Sequence, residues 1–465
     1  MTDIAIIGGG AAGAAVFGEL LRRPGHRGTI HWITGCVAPG RGVAYATEDE
    51  RHLLNVRAAG MGLFADQQDD FLQHANRYLG QAQGSDFLPR RLFGEFIEAQ
   101  VRARMSEAHA HGIRFQLHHV KAAAIRREAG RGYRIELAQG DALITEAVVL
   151  AIGALAPRPL RAVSKTALGS GVYVLDPWKQ DEPASPPRRL LVIGTGLTAV
   201  DTLISAATRW PKAELVAVSR HGLLPLQHPA SPVAPYPFQD ELNAALLRCS
   251  GVASMMRLVR KALADPSGTD WRAVIDGMRP INARLWQGLA LAQRRQFLRH
   301  LRWVWEASRH RTAPASSETV RALIEAGRLQ IHAARVLAID GCGPLTVTVR
   351  SRATQLMNTI EADRVIQATG LDTAAAYAGD PLLTQLLGEG LAMPDPLQLG
   401  VEAEPDGQLL DADGRVQPGL YGIGSLLRGN LWECTAMPEI RAAASRLAHA
   451  LAPSGDLRGE EASAK

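Results

Sequence analysis

The sequence predicts an α/β protein with two Rossmann-like dinucleotide-binding domains and a helical insertion in the second. Three observations carry this. An apolar strand, a glycine-rich turn and a helix-like run occur twice, as IAIIGGGAAGAA (4–15) and LLVIGTGLTAVD (190–201). Each copy closes far downstream on a matching apolar strand, AVVLAIGA (147–154) and RVIQATGLD (364–372), which makes a coarse internal duplication. The prolines of DEPASPPRR (181–189) mark a linker between the copies. A length of 465 residues suits roughly two to three domains. The expected division is a first domain over 1–165, a second over 186–362 with its helical insertion at about 239–328, a return to the first domain over 363–455, and a small polar tail, 456–465, expected to be disordered.

Within the first copy, a strand at 4–8 leads through the turn into a helix stopped by Pro24–Gly25. TIHWI (29–33) reads as the second strand, and 113–140 as β-strands around Gly130–Arg131–Gly132. In the second copy, strand, turn and helix lead to ELVAVSR (214–220), the helical stretch intervenes, and LQIHAARVLAI and LTVTVRS read as strands. Residues 419–440 read as strand, glycine turn, loop and then a helix with Pro438 and Glu439 in its first turn.

The chemistry of the two turns follows from their glycines. The first allows a tight reversal, the second lets backbone approach a pyrophosphate, and the third small residue lets helix pack on strand. The helix N-terminus then faces the phosphates with its partial positive charge. Gly8, Gly10 and Gly13 form the first turn, and Gly194, Gly196 and Ala199 the second. Ala12, Val120, Ala151 and Gly153 in the first crevice, and Leu197, Thr198, Thr369 and Gly370 in the second, complete the backbone expected to contact cofactor. Two turns imply two dinucleotides. The second copy's second strand ends in Ser219–Arg220–His221 rather than in a carboxylate, which favours a 2′-phosphate and hence NADPH. The first copy's second strand ends at Thr34, where an acidic residue ordinarily grips the adenosine ribose, so the first dinucleotide is expected to be held less tightly.

Composition narrows the function classes. Hydrophobic residues make up 46% and charged residues 21%, the values of an ordinary globular protein. The net charge of +5 is small and scattered, so nothing points to nucleic acid. The most basic stretch, RRQFLRHLRWVWEASRHR (294–311), reads either as a solvated amphipathic helix or as a source of arginines for a cofactor phosphate or an acidic substrate. Four widely spaced cysteines form no CxxC pair, which excludes a local zinc ribbon or a redox disulfide beside a flavin. The first strand starts at Ile4, leaving no room for a leader, and no apolar run is long enough to span a bilayer. A cytoplasmic protein is therefore expected. His118 and His119 are adjacent and point to opposite faces of a strand, and no metal constellation stands out among the 14 histidines.

Four further motifs come in order: GRGVAY (40–45), HLLNV (52–56), PRRLFGEF (89–96) and LWECTAMPEIR (431–441). With these the chain resembles the two-dinucleotide-binding-domain flavoproteins. More narrowly, it is similar to the bacterial FAD/NAD(P)-binding family and to flavin N-hydroxylases and related monooxygenases. The resemblance spans nearly the whole chain and is specific for fold and cofactor, not for substrate. It implies FAD in the first domain and NADPH in the second. By it, Arg41, Leu54, Asn55 and Val56 wrap the flavin, Arg90 offsets cofactor charge, and Gly424, Asn430, Leu431 and Trp432 lie beside the ring. Neighbouring families carry Asp after that glycine, and here the residue is Ser425.

The expected reaction is a single-component, NADPH-dependent flavin monooxygenation of nitrogen or sulfur in a small molecule, with O2 as co-substrate. The helical insertion, with Trp271, Trp286, Trp303 and Trp305, is expected to help cover the substrate. The signature of ketone-inserting relatives, F-x-G-x-x-x-H before Trp-Pro, is absent. Asn55 and Trp432 are the candidate catalytic residues, supplying a hydrogen bond to the flavin and exclusion of water. The competing readings are a reductase delivering electrons to a quinone or a protein, and a flavin-binding regulator without turnover. A homo-oligomer remains open.

Overall fold

In the computed structural model the described residues are 2–453, apart from 24, 36–37, 131, 180–182, 184, 266–267 and 378. Cys36, Pro24, Arg131, part of the proline linker and the 456–465 tail therefore lie outside the described residues.

The first sheet has the strand order Gln408–Leu410, Val416–Gly422, Ala147–Leu150, Ile4–Ile7, Thr29–Ile33, Arg114–His118. All neighbours are parallel except the first pair. Its central strands, IAII and AVVL, are buried at every position. That is the pattern of a parallel sheet covered on both faces. Helices Ala11–Leu20 and Met437–Leu451 pack together on one face, through Phe17, Ile440, Ala444 and Leu447. The last helix among the described residues thus closes the domain that the first strand opens. A three-stranded antiparallel sheet, Ala122–Glu128, Gly132–Leu137 and Ala142–Thr145, lies beside it. The predicted 113–140 strand region therefore divides, with Arg114–His118 serving the parallel sheet and the rest the small one.

The second sheet runs Met357–Ala362, Leu345–Ser351, Leu329–Asp340, Glu214–Ser219, Arg189–Ile193, Arg364–Gln367, Tyr173–Val174. Arg364–Gln367 pairs with Arg189–Ile193, so the chain's return to the first sheet begins after it. Sequence periodicity misses Met357–Ala362 because its residues are mostly exposed, and misses Tyr173–Val174 because two residues carry no period.

Between Glu214–Ser219 and Leu329–Asp340 stand seven helices among the described residues, from Gln239–Leu247 to Pro314–Glu325. The last of these packs on Leu197–Arg209 as the crossover helix of the parallel pair. Helices Gln239–Leu247, Val252–Leu263, Trp271–Gly277 and Asn282–Gly288 form a separate small core around Leu246, Val274 and Ile281, with Trp305 packed against it. No helix among the described residues is long and apolar enough to cross a membrane.

Candidate functional site

The two glycine turns are built alike down to single bonds. Gly8 N donates to Ile33 O at 2.9 Å, and Gly194 N to Val218 O at 2.9 Å. Both glycines have left-handed φ, +128° and +125°. A Cβ on Gly8 would stand 2.2 Å from Ala151 O, and one on Gly194 2.3 Å from Ala368 O. Only glycine fits against those carbonyls. The duplication read from sequence is therefore a duplication of one backbone contact. At the third position, a Cβ on Gly13 would meet Gly8 O at 2.1 Å.

All nine residues assigned to the second crevice, Gly194, Gly196, Leu197, Thr198, Ser219, Arg220, His221, Thr369 and Gly370, line one cleft of about 700 Å³. A Cβ on Gly196 meets nothing within 4 Å, so the backbone at the helix N-terminus is open to a ligand. At the strand end, Ser219 Oγ accepts from Gly222 N at 3.0 Å. Arg220 is exposed. His221 stacks on Trp303 of the insertion, 4.2 Å between ring centroids and 10° from parallel. Its Nδ1 is hydrogen-bonded by Arg352. Partial burial, then the charges of Arg352 and Arg220, lower its pKa, so the ring is neutral beside two cations. Arg335 lines the same cleft. Only Arg220 and His221 of this basic group were legible beforehand, since Arg335, from a strand, and Arg352, from the turn after one, lie more than a hundred residues away.

A smaller cavity, about 240 Å³, lies where the Asn55 loop, the 428–439 segment and the insertion meet. Asn55, Val56 and Trp432 line it. Its polar wall consists of ion pairs. Arg279 makes two bonds to Glu439, of 2.6 and 2.8 Å. Arg309 Nε reaches Glu433 at 3.3 Å, and Arg428 Nη2 reaches Glu306 at 2.8 Å. Burial pushes the Glu306 carboxyl up, but Arg302 and Arg428 outweigh it and hold its pKa below the usual value. Burial also lowers the pKa of His310 against the pull of Glu433. Glu306, His310, Arg428 and Thr435 line both cavities, so the smaller one adjoins the cleft. Within the basic stretch 294–311, Arg302 lines the cleft and Arg309 the smaller cavity, each paired with a carboxylate, whereas Arg294 is spent on the carbonyls of Trp286, Gln287 and Leu289.

Trp432 is a bulky residue at φ +60°, a backbone conformation that persists only when its surroundings over-determine it. They do. Its ring stacks on Trp286 at 4.8 Å and 24°, meets Phe297 edge-on at 5.3 Å, and carries Arg428 4.8 Å above it. Glu433 next to it accepts from Trp305 Nε1, Asn282 Nδ2 and Arg309 Nε, three anchors from the insertion. Two of the tryptophans assigned to substrate cover therefore fasten the insertion to the 428–439 segment.

Most of the other residues assigned to the flavin have partners of their own within the fold. Arg41 is held by Glu98 through bonds of 2.7 and 3.2 Å. Leu54 is buried in the core, and Leu431 packs beside the second core cluster. Asn430 donates to Glu402 at 3.0 Å. Gly424 has φ +74° and accepts from Cys434 Sγ. Val120 O accepts from Gly35 N, and Gly153 faces open space. A Cβ added to Gly424 would stand 3.8 Å from that of Ala12. Thr34 is 3% exposed, its hydroxyl turned to His118 O and His119 Nδ1. The side chain is enclosed, whereas the neighbouring Gly35 is half-buried and His119 exposed. Arg90 pairs with Asp201 of the second domain at 3.0 Å. Asn55 O accepts from His228 Nε2 at 3.0 Å, another contact from the second domain. Among the described residues no group of His, Cys, Asp and Glu forms a metal site.

His228 also makes the fold acid-sensitive. Burial, then Arg311, bring its pKa down to about 4. Above pH ~6.5 the ring is neutral in folded and unfolded chains alike and its contribution is flat. Between ~6.5 and 4 the unfolded chain takes up a proton that the folded chain refuses, so stability falls as pH falls through that window. Urea titrations at pH 7 and 4.5 should show a loss of stability that is smaller by up to about 2 kcal/mol in His228→Gln. An equal loss in that variant would move the effect elsewhere.

Residues 5–155 match a family model described as FAD-NAD(P)-binding. No curated relative matches the chain in sequence. Among solved structures, ornithine N-hydroxylase from Kutzneria sp. matches over 97% of this chain and 99% of its own, with TM-score 0.63 and 14% identity. L-lysine 6-monooxygenase from Pseudomonas syringae matches over 98% and 100%, with TM-score 0.60 and 18% identity. The cadaverine monooxygenase of Erwinia amylovora, bound to FAD, matches over 97% and 94%, with TM-score 0.60 and 12% identity. The chain shares their fold. The likeness extends along nearly the whole length of both chains.

Proposed function

We propose that the chain is an FAD-dependent oxidoreductase that draws electrons from NADPH, and specifically a single-component monooxygenase that hydroxylates nitrogen or sulfur of a small molecule. The observation that carries this reading is the smaller cavity. It adjoins the dinucleotide cleft, is lined by Asn55 and Trp432 from the two segments assigned to the flavin, and is roofed by the helical insertion. A reductase delivering electrons to a protein needs an open ring edge, whereas an oxygenase needs a small chamber closed to water.

The residues fit the two cofactors. Gly10 and Gly42 present no side chains where backbone meets backbone above the first turn, and Gly196 opens the second. FAD, when bound, accepts hydride from NADPH and activates O2. The protein's own share is positional. Gly194–Thr198 hold the pyrophosphate of NADPH, Arg220 and His221 with Arg335 and Arg352 its 2′-phosphate, and Asn55 and Trp432 the ring environment. The Arg279–Glu439 and Arg309–Glu433 pairs give the chamber a polar, nearly charge-balanced wall, suited to a small polar substrate. The Kutzneria protein, whose structure holds reduced FAD, NADP+ and L-ornithine, supports the same reading.

The test is oxygen uptake and NADPH oxidation by FAD-loaded protein across small amines, amino acids and thiols. Hydroxylated product formed in step with NADPH is the expected result. NADPH flow to a quinone without any such product would replace this reading by the reductase. Bound FAD that NADPH leaves oxidised would replace it by a flavin-binding regulator.

A further inference from the structure

Sequence places Asp201 one turn into the dinucleotide helix and Arg90 beside the flavin, with nothing to connect them. The fold joins them. Asp201 is 3% exposed, and its carboxylate faces Arg90 Nη2 at 3.0 Å across the seam between the two domains. Arg90 Nε in turn donates to Leu53 O at 3.2 Å, and Arg90 N to His52 O at 2.9 Å. One turn further along the same helix, Ser205 Oγ donates to Asp49 Oδ2 at 2.6 Å and lies 2.7 Å from His52 Nε2. The other ring nitrogen of His52 meets Thr47 Oγ1 at 2.7 Å. Positions 201 and 205 are four apart, so both face the same way from one helix.

Two consequences follow. The segment from Asp49 to Leu53, which runs directly into Asn55, is held by a single face of helix Leu197–Arg209. That helix is also the one whose N-terminus, at Gly196, opens into the dinucleotide cleft. A buried ion pair is a poor source of stability, because desolvation offsets most of the attraction and apolar residues would hold a seam as well. What a buried charge pair and an aligned hydroxyl supply is one register between the parts they join.

We propose that Asp201 and Ser205 are positioning residues that tie the second domain's dinucleotide helix to the Asp49–Asn55 segment, so that a nucleotide in the second cleft and FAD in the first bind with positive coupling. The proposal rests on the FAD and NADPH reading above. A ligand that draws the helix N-terminus into its bound position sets the 49–55 segment for FAD, and FAD does the reverse, with the same factor in both directions.

The probe is 2′-phospho-ADP-ribose, which carries the pyrophosphate and 2′-phosphate of NADPH but has no nicotinamide to stack on a flavin. FAD affinity of the full chain is measured with and without saturating probe. In the wild type the probe should tighten FAD about 5- to 10-fold, at the lower end of couplings between sites. Ser205→Ala, which removes one oxygen and leaves the fold intact, and Asp201→Asn should bring that factor below about 2 while leaving probe affinity without FAD unchanged. Ser205→Thr keeps the hydroxyl and should keep the coupling. Undiminished coupling in folded Ser205→Ala, or none in the wild type, overturns the proposal while FAD binding stands. A wild type that binds no FAD overturns the functional reading itself.

Discussion

Replacing Trp286 by Ala should lower stability by about 3–5 kcal/mol, the cost of truncating a large aromatic side chain in a packed interior. The residue is 3% exposed and has three jobs. Its ring stacks on Trp432, its Nε1 donates to Gly429 O at 2.6 Å, and the Arg294 guanidinium sits 5.4 Å from its ring centre. Without that ring Trp432 keeps only Phe297 and Arg428 against it at its positive φ, and the insertion loses a large apolar hold on the 428–439 segment. Trp286→Phe keeps an aromatic stack but loses the N–H bond to Gly429, so it should cost about 1–3 kcal/mol. Equilibrium denaturation reads both values. If the alanine variant loses less than 1 kcal/mol, the insertion is not anchored through this stack. The same variant should let water into the chamber, and NADPH consumed without hydroxylated product should rise with it.

Arg220→Ala should weaken NADPH about 10- to 100-fold and leave NADH nearly untouched. A charge-assisted bond to the 2′-phosphate contributes about 1.5–3 kcal/mol, and each 1.4 kcal/mol is a factor of ten. The structure sharpens this expectation. Arg220 is exposed at the cleft, whereas the neighbouring His221 is already engaged by Trp303 and Arg352. Arg352→Ala should therefore act on both fronts, removing a cation from the group and freeing His221 from its partner. The rate of flavin reduction as a function of NADPH and NADH concentration separates these effects. Equal losses for the two nucleotides in Arg220→Ala would show that Arg220 orders the loop and does not read the phosphate.

The two glycine turns were legible in sequence because they answer a local steric demand. Each first glycine sits at a left-handed φ against a carbonyl little more than 2 Å from where a Cβ would be, and that demand writes itself into neighbouring letters. The nine predicted residues found lining the second cleft follow from the same local grammar of strand, turn and strand end. The central strands were legible for a related reason. Burial on both faces leaves an unbroken apolar run such as IAII or AVVL, whereas the exposed strand Met357–Ala362 leaves none.

The roles of single polar side chains were not legible, and Arg90 shows why. The resemblance sets it where it offsets cofactor charge, and nothing local announces that its guanidinium also lies 3.0 Å from Asp201, a residue over a hundred positions away whose own context is an ordinary helix. Arg41 likewise answers to Glu98 and Asn430 to Glu402. A charged or amide side chain is several ångströms long and satisfied by any complementary group within reach, so its neighbours in space decide its partner. The sequence by itself determined the architecture of two phosphate turns on parallel sheets, because backbone sterics and burial act within a few residues. Only the tertiary structure decided where the smaller cavity forms, because its wall of Arg279, Glu306, Arg309, Glu433 and Glu439 is assembled from an insertion and a C-terminal segment that no local rule brings together. Trp286 and Trp432 stack at that junction because two large apolar rings lose most by staying in water.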